Sequence, residues 1–331
     1  MRKNLTKKGG KRVNKCFAAV DMGTNSFHLI IVQVKSDGSF KVIDREREVI
    51  RLGSHKGKEF TWISEGEMEK AIDVLRDFGK IAQFYKADMR AIATSAIREA
   101  KNKSEFIDRV FEETGITVEA VDGKTEAELI YLGVQHALDV FDKRILCVDI
   151  GGGSTEFLLG EKGDSEFAES IKIGAVRLSK MFFPDFHLSD AGIDMCRNYI
   201  KDKLETNSNL HPNHIFEMAI GSSGTIVAAA SIISYRRNGK FKKTMNGFTF
   251  TANEIFELTS DVLKCESPVD RLFIEGMEIK RADIIPAGLL ILSEVFSTFK
   301  LKEMTVSENA LREGIIIDTI SKLTEMQDLI V

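Results

Sequence analysis

Proline is scarce in this sequence, four in 331 residues, and no stretch is enriched in proline or in glycine with serine. A tether between domains therefore has no place to sit, and any domain boundary must be a compact crossing of the chain. Cysteine is equally sparse. Cys16, Cys147, Cys196 and Cys265 stand far apart, with no CxxC pair and no metal-ligand spacing. Cys16 and Cys147 fall in apolar, strand-like runs, where a free thiol packs as a small hydrophobe, so a reduced, cytoplasmic protein is expected. No run approaches the ~18 apolar residues of a membrane span. The apolar segment 16–20 is too short for a signal-peptide core and runs straight into Asp21. The single tryptophan, Trp62, is expected to anchor the start of the first helix. His211 and His214 have loop spacing and no cysteine partner, which reads as a loop and not as a zinc site.

A general excess of positive charge is also missing. Lys+Arg number 46 against 50 Asp+Glu, for a formal charge of −4. Residues 1–15 alone hold seven positive charges and no acid, which leaves −11 on the remainder. The expectation is an acidic body behind a basic, disordered tail. That excludes a generally basic nucleic-acid binder, and neither nucleic acid nor membrane is an expected partner. With 43% hydrophobic and 29% charged residues, the chain can bury cores for two ordinary domains.

Strands and helices alternate along the sequence. Residues 16–22, 27–34 and 40–46 read as a three-stranded meander. A capping box, Ser64 with Glu67, opens a helix whose apolar residues recur at three and four. A strand at 89–94, a helix from a Ser104 cap to Gly115 and a strand at 117–121 follow, then a helix over 124–138. A second meander spans 145–150, 155–160 and 166–173. Helices at 189–204, 224–234, 252–264 and 283–299 follow, the third with a Thr251/Glu254 capping box, around strands at 215–220 and 304–306. The order predicts a layered α/β fold. The last helix, 309–326, could pack on either half.

The two meanders repeat one another. Val20-Asp21-Met22-Gly23-Thr24-Asn25-Ser26 matches Val148-Asp149-Ile150-Gly151-Gly152-Gly153-Ser154 at a fixed offset of 128. In each, an apolar strand delivers an aspartate into a tight turn. Small turn residues expose backbone N–H groups to an anion, and Asp21 and Asp149 are placed to hold a divalent cation against phosphate oxygens. Two such hairpins facing across a cleft would clamp a phosphate chain. Gly221, Ser222, Ser223, Gly224 and Thr225 form a further turn at a helix N-terminus, suited to a phosphate. Arg236, Arg237, Lys240, Lys242 and Lys243 are a basic run that reads first as a solvated loop and, alternatively, as a track for the distal phosphates of a long polyanion.

The paired pattern resembles the actin-like ATPase superfamily, and within it the exopolyphosphatase/guanosine pentaphosphatase (Ppx/GppA) family. The residues that carry it are VDMGTNS at 20–26, ATSAIRE at 93–99, GKTEAELIYLGV at 123–134, VDIGGGSTEF at 148–157, GAVRL at 174–178, GSSGTI at 221–226, RADIIPAGLL at 281–290 and SENALREG at 307–314. The resemblance implies a duplicated ribonuclease H-like fold of two domains around a cleft: 16–123 with 307–331, and 124–306. It places the catalytic base on Glu126, with Glu128 as the alternative. The family usually has Glu at the place of Thr125 and Arg at that of Glu128. It implies Arg98 as a phosphate-binding, charge-stabilising residue and Glu156 as support for the metal or the attacking water. The implied cofactor is Mg²⁺, with a monovalent cation as a further candidate, and the implied assembly is a homodimer. The expected reaction releases terminal phosphate from linear polyphosphate, or hydrolyses guanosine pentaphosphate at its 5′ end. Long family members carry an additional helical C-terminal region, and this chain stops at Val331, which favours short chains or a nucleotide. From another class, an actin-like ATP-binding switch or scaffold, or a sugar kinase, also fits the repeat.

Overall fold

A computed structural model of the chain describes residues 15–35, 38–52, 62–207, 209–210 and 215–328. The basic tail before Lys15 and the His211–His214 pair lie outside the described residues.

The first half comprises β1 (Cys16–Met22), β2 (Ser26–Val34), β3 (Phe40–Val49), α1 (Glu65–Phe84), β4 (Asp88–Ala93), α2 (Ser95–Glu99), α3 (Lys103–Thr114) and β5 (Val118–Ala120). Its sheet runs β3-β2-β1-β4-β5. After α4 (Gly123–Ala137) come β6 (Ile145–Ile150), β7 (Thr155–Glu161), β8 (Asp164–Ile171), α5 (Ala175–Phe182), α6 (Asp190–Glu205), β9 (Met218–Ser222), α7 (Ser223–Asn238), β10 (Thr249–Thr251), α8 (Ala252–Leu263), α9 (Pro268–Arg271), α10 (Ile285–Thr298), β11 (Glu303–Val306) and α11 (Leu311–Asp328). The second sheet runs β8-β7-β6-β9-β11, with β10 added at the edge. In both sheets the central strand pairs antiparallel with the next strand of its meander and parallel with the following strand. The repeat seen in seven residues is thus a repeat of whole topology, the duplicated α/β fold of the expectation.

Burial explains the layering. Leu75, Phe78 and Phe106 close one face of the first sheet. In the second half α10 is predominantly apolar, and every residue from Ile285 to Phe296 is buried, as befits a helix inside a core. A third core joins the halves: Phe17, Ala19 and Ile30 of the first sheet and Cys147 and Leu158 of the second meet Ile130 and Val134 of α4 and Ile315 of α11. The final helix, open in its placement from sequence, lies against β1, β2 and α4. Its crossing with α4 is backbone on backbone. A side chain at Gly133 would run into the Ala310 carbonyl, and one at Gly314 into the Leu129 carbonyl.

Several local readings are corrected. The α3 cap is Asn102, not Ser104, and its side chain bonds elsewhere: Nδ2 donates to Ile63 O at 2.9 Å and Oδ1 accepts from Ile63 N at 3.0 Å. Ile63, fully buried, anchors the entry to α1, while Trp62 beside it is 53% exposed. The Ser64 and Thr251 capping boxes form as read. The strand expected at 215–220 starts at Met218 and runs to Ser222. The short helices α2 and α5 had no periodic signal long enough to find. All four cysteines are free thiols. Among the described residues no helix is long and apolar enough to cross a membrane.

Candidate active site

The two Gly-containing turns meet at the floor of a cleft of about 580 Å³. Each closes in the same way: Gly23 N–H donates to Ser26 O at 3.2 Å, and Gly151 N–H to Ser154 O at 2.9 Å. Glycine at 152 and 153 serves close contact between the halves, since a Cβ at 152 would press on Asn25 N and one at 153 would strike the Ser95 and Thr24 hydroxyls. The carbonyls of Gly151 and Gly152 accept from the first amides of α5, Ala175, Val176 and Arg177. Buried Arg177 clips the arrangement, donating Nε to Gly153 O at 2.6 Å and Nη2 to Glu99 of α2 at 2.8 Å. Thr24 Oγ1 and Asn25 Oδ1 are buried at this floor with no protein partner. Buried polar atoms are seldom left so, and these face the cleft.

Glu126 is delivered by the N-terminus of α4. Asp122 caps that helix, accepting from Thr125 N at 2.7 Å, which sets Glu126 in its first turn. Its carboxylate accepts from Arg98 Nη1 at 2.5 Å and is 6% exposed. Arg98 also donates to Val121 O and, at 3.4 Å, to Ser170 Oγ, so its guanidinium stands behind the acid and off the cleft wall. Glu128 points the other way, near Lys124 and Ser165. Burial raises the Glu126 pKa, Arg98 opposes the rise, and Asp21 and Asp149 add to it. Glu156 is raised well above the usual carboxylate range, by burial first and then by Glu126 and Asp149. Glu156 Oε1 accepts from Ser154 at 2.5 Å and from Ser170 at 2.7 Å.

Asp21 and Asp149 sit at the ends of β1 and β6. Burial, then repulsion from Asp149, pushes Asp21 up to about 7 against the pull of Arg312. Burial lifts Asp149 to about 6, although Ser222 Oγ donates to it at 2.5 Å. Among the described residues no three His, Cys, Asp or Glu form a metal-holding cluster. Hard oxygen donors that repel each other nonetheless suit Mg²⁺, which takes one or two carboxylates and completes its shell with water and phosphate. Asp21 and Asp149 fit that role. Glu156 lines the same cleft, with its Oε1 engaged by two serines.

The third turn is divided. Gly221 packs against Met304 and Ile226, and Ser222 serves Asp149. Ser223, Gly224 and Thr225 face the cleft, with Ser223 at φ 91°, a strained value of the kind that gathers at functional sites. Gly224 leaves room for the Arg281 guanidinium, which a side chain there would strike.

Positive charge enters the cleft from residues that composition did not single out. Arg47, Arg281 and Arg312 all bear on His28, and after burial itself they hold its pKa down at about 2. Arg47 Nε and Nη2 are buried with no hydrogen-bond partner. Burial and Arg47 lower Arg281 to about 10. The basic run behaves mostly as a solvated surface segment and less as a polyanion track. Arg236 pairs with Asp261, Arg237 forks onto Glu254, and Lys242 lies over Phe248; of that run only Lys243 lines the cleft. Arg281 and Arg312 lie in stretches that carried the family resemblance, without a role. His28 stands at the repeat offset from Glu156, and extending the alignment two residues past Ser26 finds it. Arg47, on a charged edge strand, gave no signal.

The profile of the Ppx/GppA phosphatase family matches residues 30–323. The chain belongs to this family. The Ppx/GppA structure of Aquifex aeolicus superposes with a TM-score of 0.77 at 28% identity, covering 93% of this chain and 98% of that one. An exopolyphosphatase from Cytophaga hutchinsonii gives 0.84 at 30% identity over 93% and 98%. A guanosine-5′-triphosphate,3′-diphosphate pyrophosphatase of Photobacterium profundum is 32% identical over 316 residues, 94% of this Ppx/GppA chain but 60% of its own length.

The raised aspartates carry a sign for stability. Unfolded, both release their protons near pH 4; folded, they keep them to about 7 and 6. The native state binds more protons in that window, so stability falls as pH rises through it. Water reaches both groups at the cleft and limits the effect. The Tm of the metal-free protein should drop about 5 °C more from pH 5 to pH 8 than that of Asp21→Asn, by scanning calorimetry. Parallel curves would count against the shift.

Proposed function

We propose that this protein is a Mg²⁺-dependent phosphohydrolase that releases terminal orthophosphate from linear, short-chain polyphosphate. One observation carries the reading: a buried carboxylate with a raised pKa, Glu126, shares a cleft with unpartnered polar atoms and a group of guanidiniums. Such a carboxylate is a competent base near neutral pH.

Substrate phosphates lie along Arg47, Arg281, Arg312 and Lys243, with the terminal phosphoryl group at Thr24, Asn25 and the Gly151–Gly153 turn. Asp21 and Asp149 would hold Mg²⁺, whose charge neutralises phosphoryl oxygens. Glu126 takes a proton as water oxygen bonds to the terminal phosphorus, and the bridging P–O bond breaks toward the shortened chain. Arg98 orients the base and stabilises its charge. The alternative substrate is guanosine pentaphosphate, cut at its 5′ end; it is favoured by the name of the Photobacterium relative.

The test is orthophosphate release with Mg²⁺ from tripolyphosphate, long polyphosphate, guanosine pentaphosphate and ATP. Release from none of them, with tight ATP binding, would establish the nucleotide-switch reading instead. Arg47→Ala should raise KM about tenfold or more, from lost charge-assisted hydrogen bonds. Neutralising Arg236 and Arg237 should leave KM within about twofold, since both are paired on the surface.

A further inference from the structure

The duplicated hairpins are alike in backbone and opposite in hydrogen-bond polarity. Two residues after the turn serine, on the strand position facing the aspartate, the first half has His28 and the second has Glu156. His28 Nδ1 lies 3.4 Å from Arg312 Nη1, and His28 Nε2 lies 2.8 Å from Ser26 Oγ. A guanidinium only donates, so Nδ1 holds the lone pair and the ring proton sits on Nε2. Ser26 Oγ therefore accepts from His28, and its own proton is left for the cleft it lines. In the second half the serine is turned round. Ser154 Oγ donates to Glu156 Oε1, which also accepts from Ser170, so Ser154 offers the cleft only lone pairs.

We propose that His28 is a positioning residue that makes Ser26 a hydrogen-bond donor to a phosphoryl oxygen, while Glu156 makes Ser154 an acceptor for the attacking water. The pair gives the reacting end of the cleft a direction: Ser26 of the first half donates to the phosphoryl group, and Ser154 holds the nucleophile on the half that carries Glu126. This rests on the hydrolase reading for the water, but the grip on phosphate is tested separately. His28 lines the cleft as well, and the role assigned to it runs through Ser26.

Binding of tripolyphosphate with Mg²⁺ is measured by titration calorimetry in full-length protein carrying Glu126→Gln to stop turnover. Ser26→Ala and His28→Phe should each weaken it about tenfold or more, the loss of one hydrogen bond to a charged group. His28→Gln, which can accept from Arg312 and donate to Ser26, should stay within about threefold of the parent. The Ser26→Ala/His28→Phe double variant should bind no more weakly than the worse single variant, because both changes remove one interaction. Ser154→Ala should bind as the parent does and, with Glu126 restored, lose kcat. Additive losses in the double variant, weak binding by His28→Gln in a protein of unchanged Tm, or equal weakening by Ser154→Ala would each overturn the proposal. If the native chain binds tripolyphosphate in the expected pattern but releases no phosphate, the hydrolase reading fails and the role of His28 stands.

Discussion

Glu126→Gln is expected to lower phosphate release by about 10²–10⁴-fold, the range for removing a positioned base, with KM little changed. The amide keeps the size of the side chain but cannot take the proton. It also leaves Arg98 without its anionic partner, so Arg98→Lys is a useful companion: it keeps the charge, loses the bonds to Val121 and Ser170 and should cost less. Glu128→Gln should stay within about twofold, because that side chain is on the outer face of α4, near Lys124 and Ser165. The sequence alone left these two glutamates as alternatives. They differ by two positions on one helix, about 200° of turn, so only one can face the cleft. The Asp122 cap decides which. Full activity in Glu126→Gln with a dead Glu128→Gln would refute the assignment.

The second large effect lies behind the cleft. Gly314→Val should destabilise the protein by about 3 kcal/mol or more, or prevent folding, because the added carbons meet the Leu129 carbonyl and not a yielding side chain. Gly133→Val should do the same against the Ala310 carbonyl. Ordinary surface changes on these helices fall within about ±0.5 kcal/mol. Urea unfolding monitored by circular dichroism measures the difference, and a cost below about 1 kcal/mol would show that the helices can part without penalty.

The repeat was the most legible feature because its turn chemistry is local: aspartate, glycine and small polar residues mark the same bend twice, and the sheets built around it are alike. The proposed base, Glu126, was legible only through family resemblance, since a glutamate in the first turn of a helix otherwise reads as a solvated face. The basic run at 236–243 stayed between a solvated loop and a polyanion track because its partners, Glu254 and Asp261, lie far enough along the chain that spacing cannot pair them. Arg47 was hidden for another reason. Alternating charges on β3 look like a wet edge strand, yet the fold turns that arginine into the cleft and leaves two of its nitrogens unpartnered. Asn102 was missed because Asn and Ser are equally good caps, so Ser104 two residues on competes with it, while the Asn102 amide stitches a loop 39 residues away.

The glycine crossing of α4 and α11 also constrains how the molecule can move. Backbones in direct contact cannot come closer, and parting them would uncover the core that Ile130, Val134 and Ile315 share. A swivel about the crossing, as on an axle, is therefore the expected motion. Glu126 stands on one member of that axle and Arg312 on the other, close to the contact, whereas Arg47 and Arg281 ride on outlying arms. When the cleft admits or releases a substrate, the lever should swing the arms and hardly alter the spacing of acid and arginine at the pivot. Spin labels on the exposed residues Glu48 and Lys280 should therefore change separation on adding tripolyphosphate, while a pair on the outer surfaces of α4 and α11 should not. The substrate would then close its own doorway around a reaction centre that never has to be reassembled.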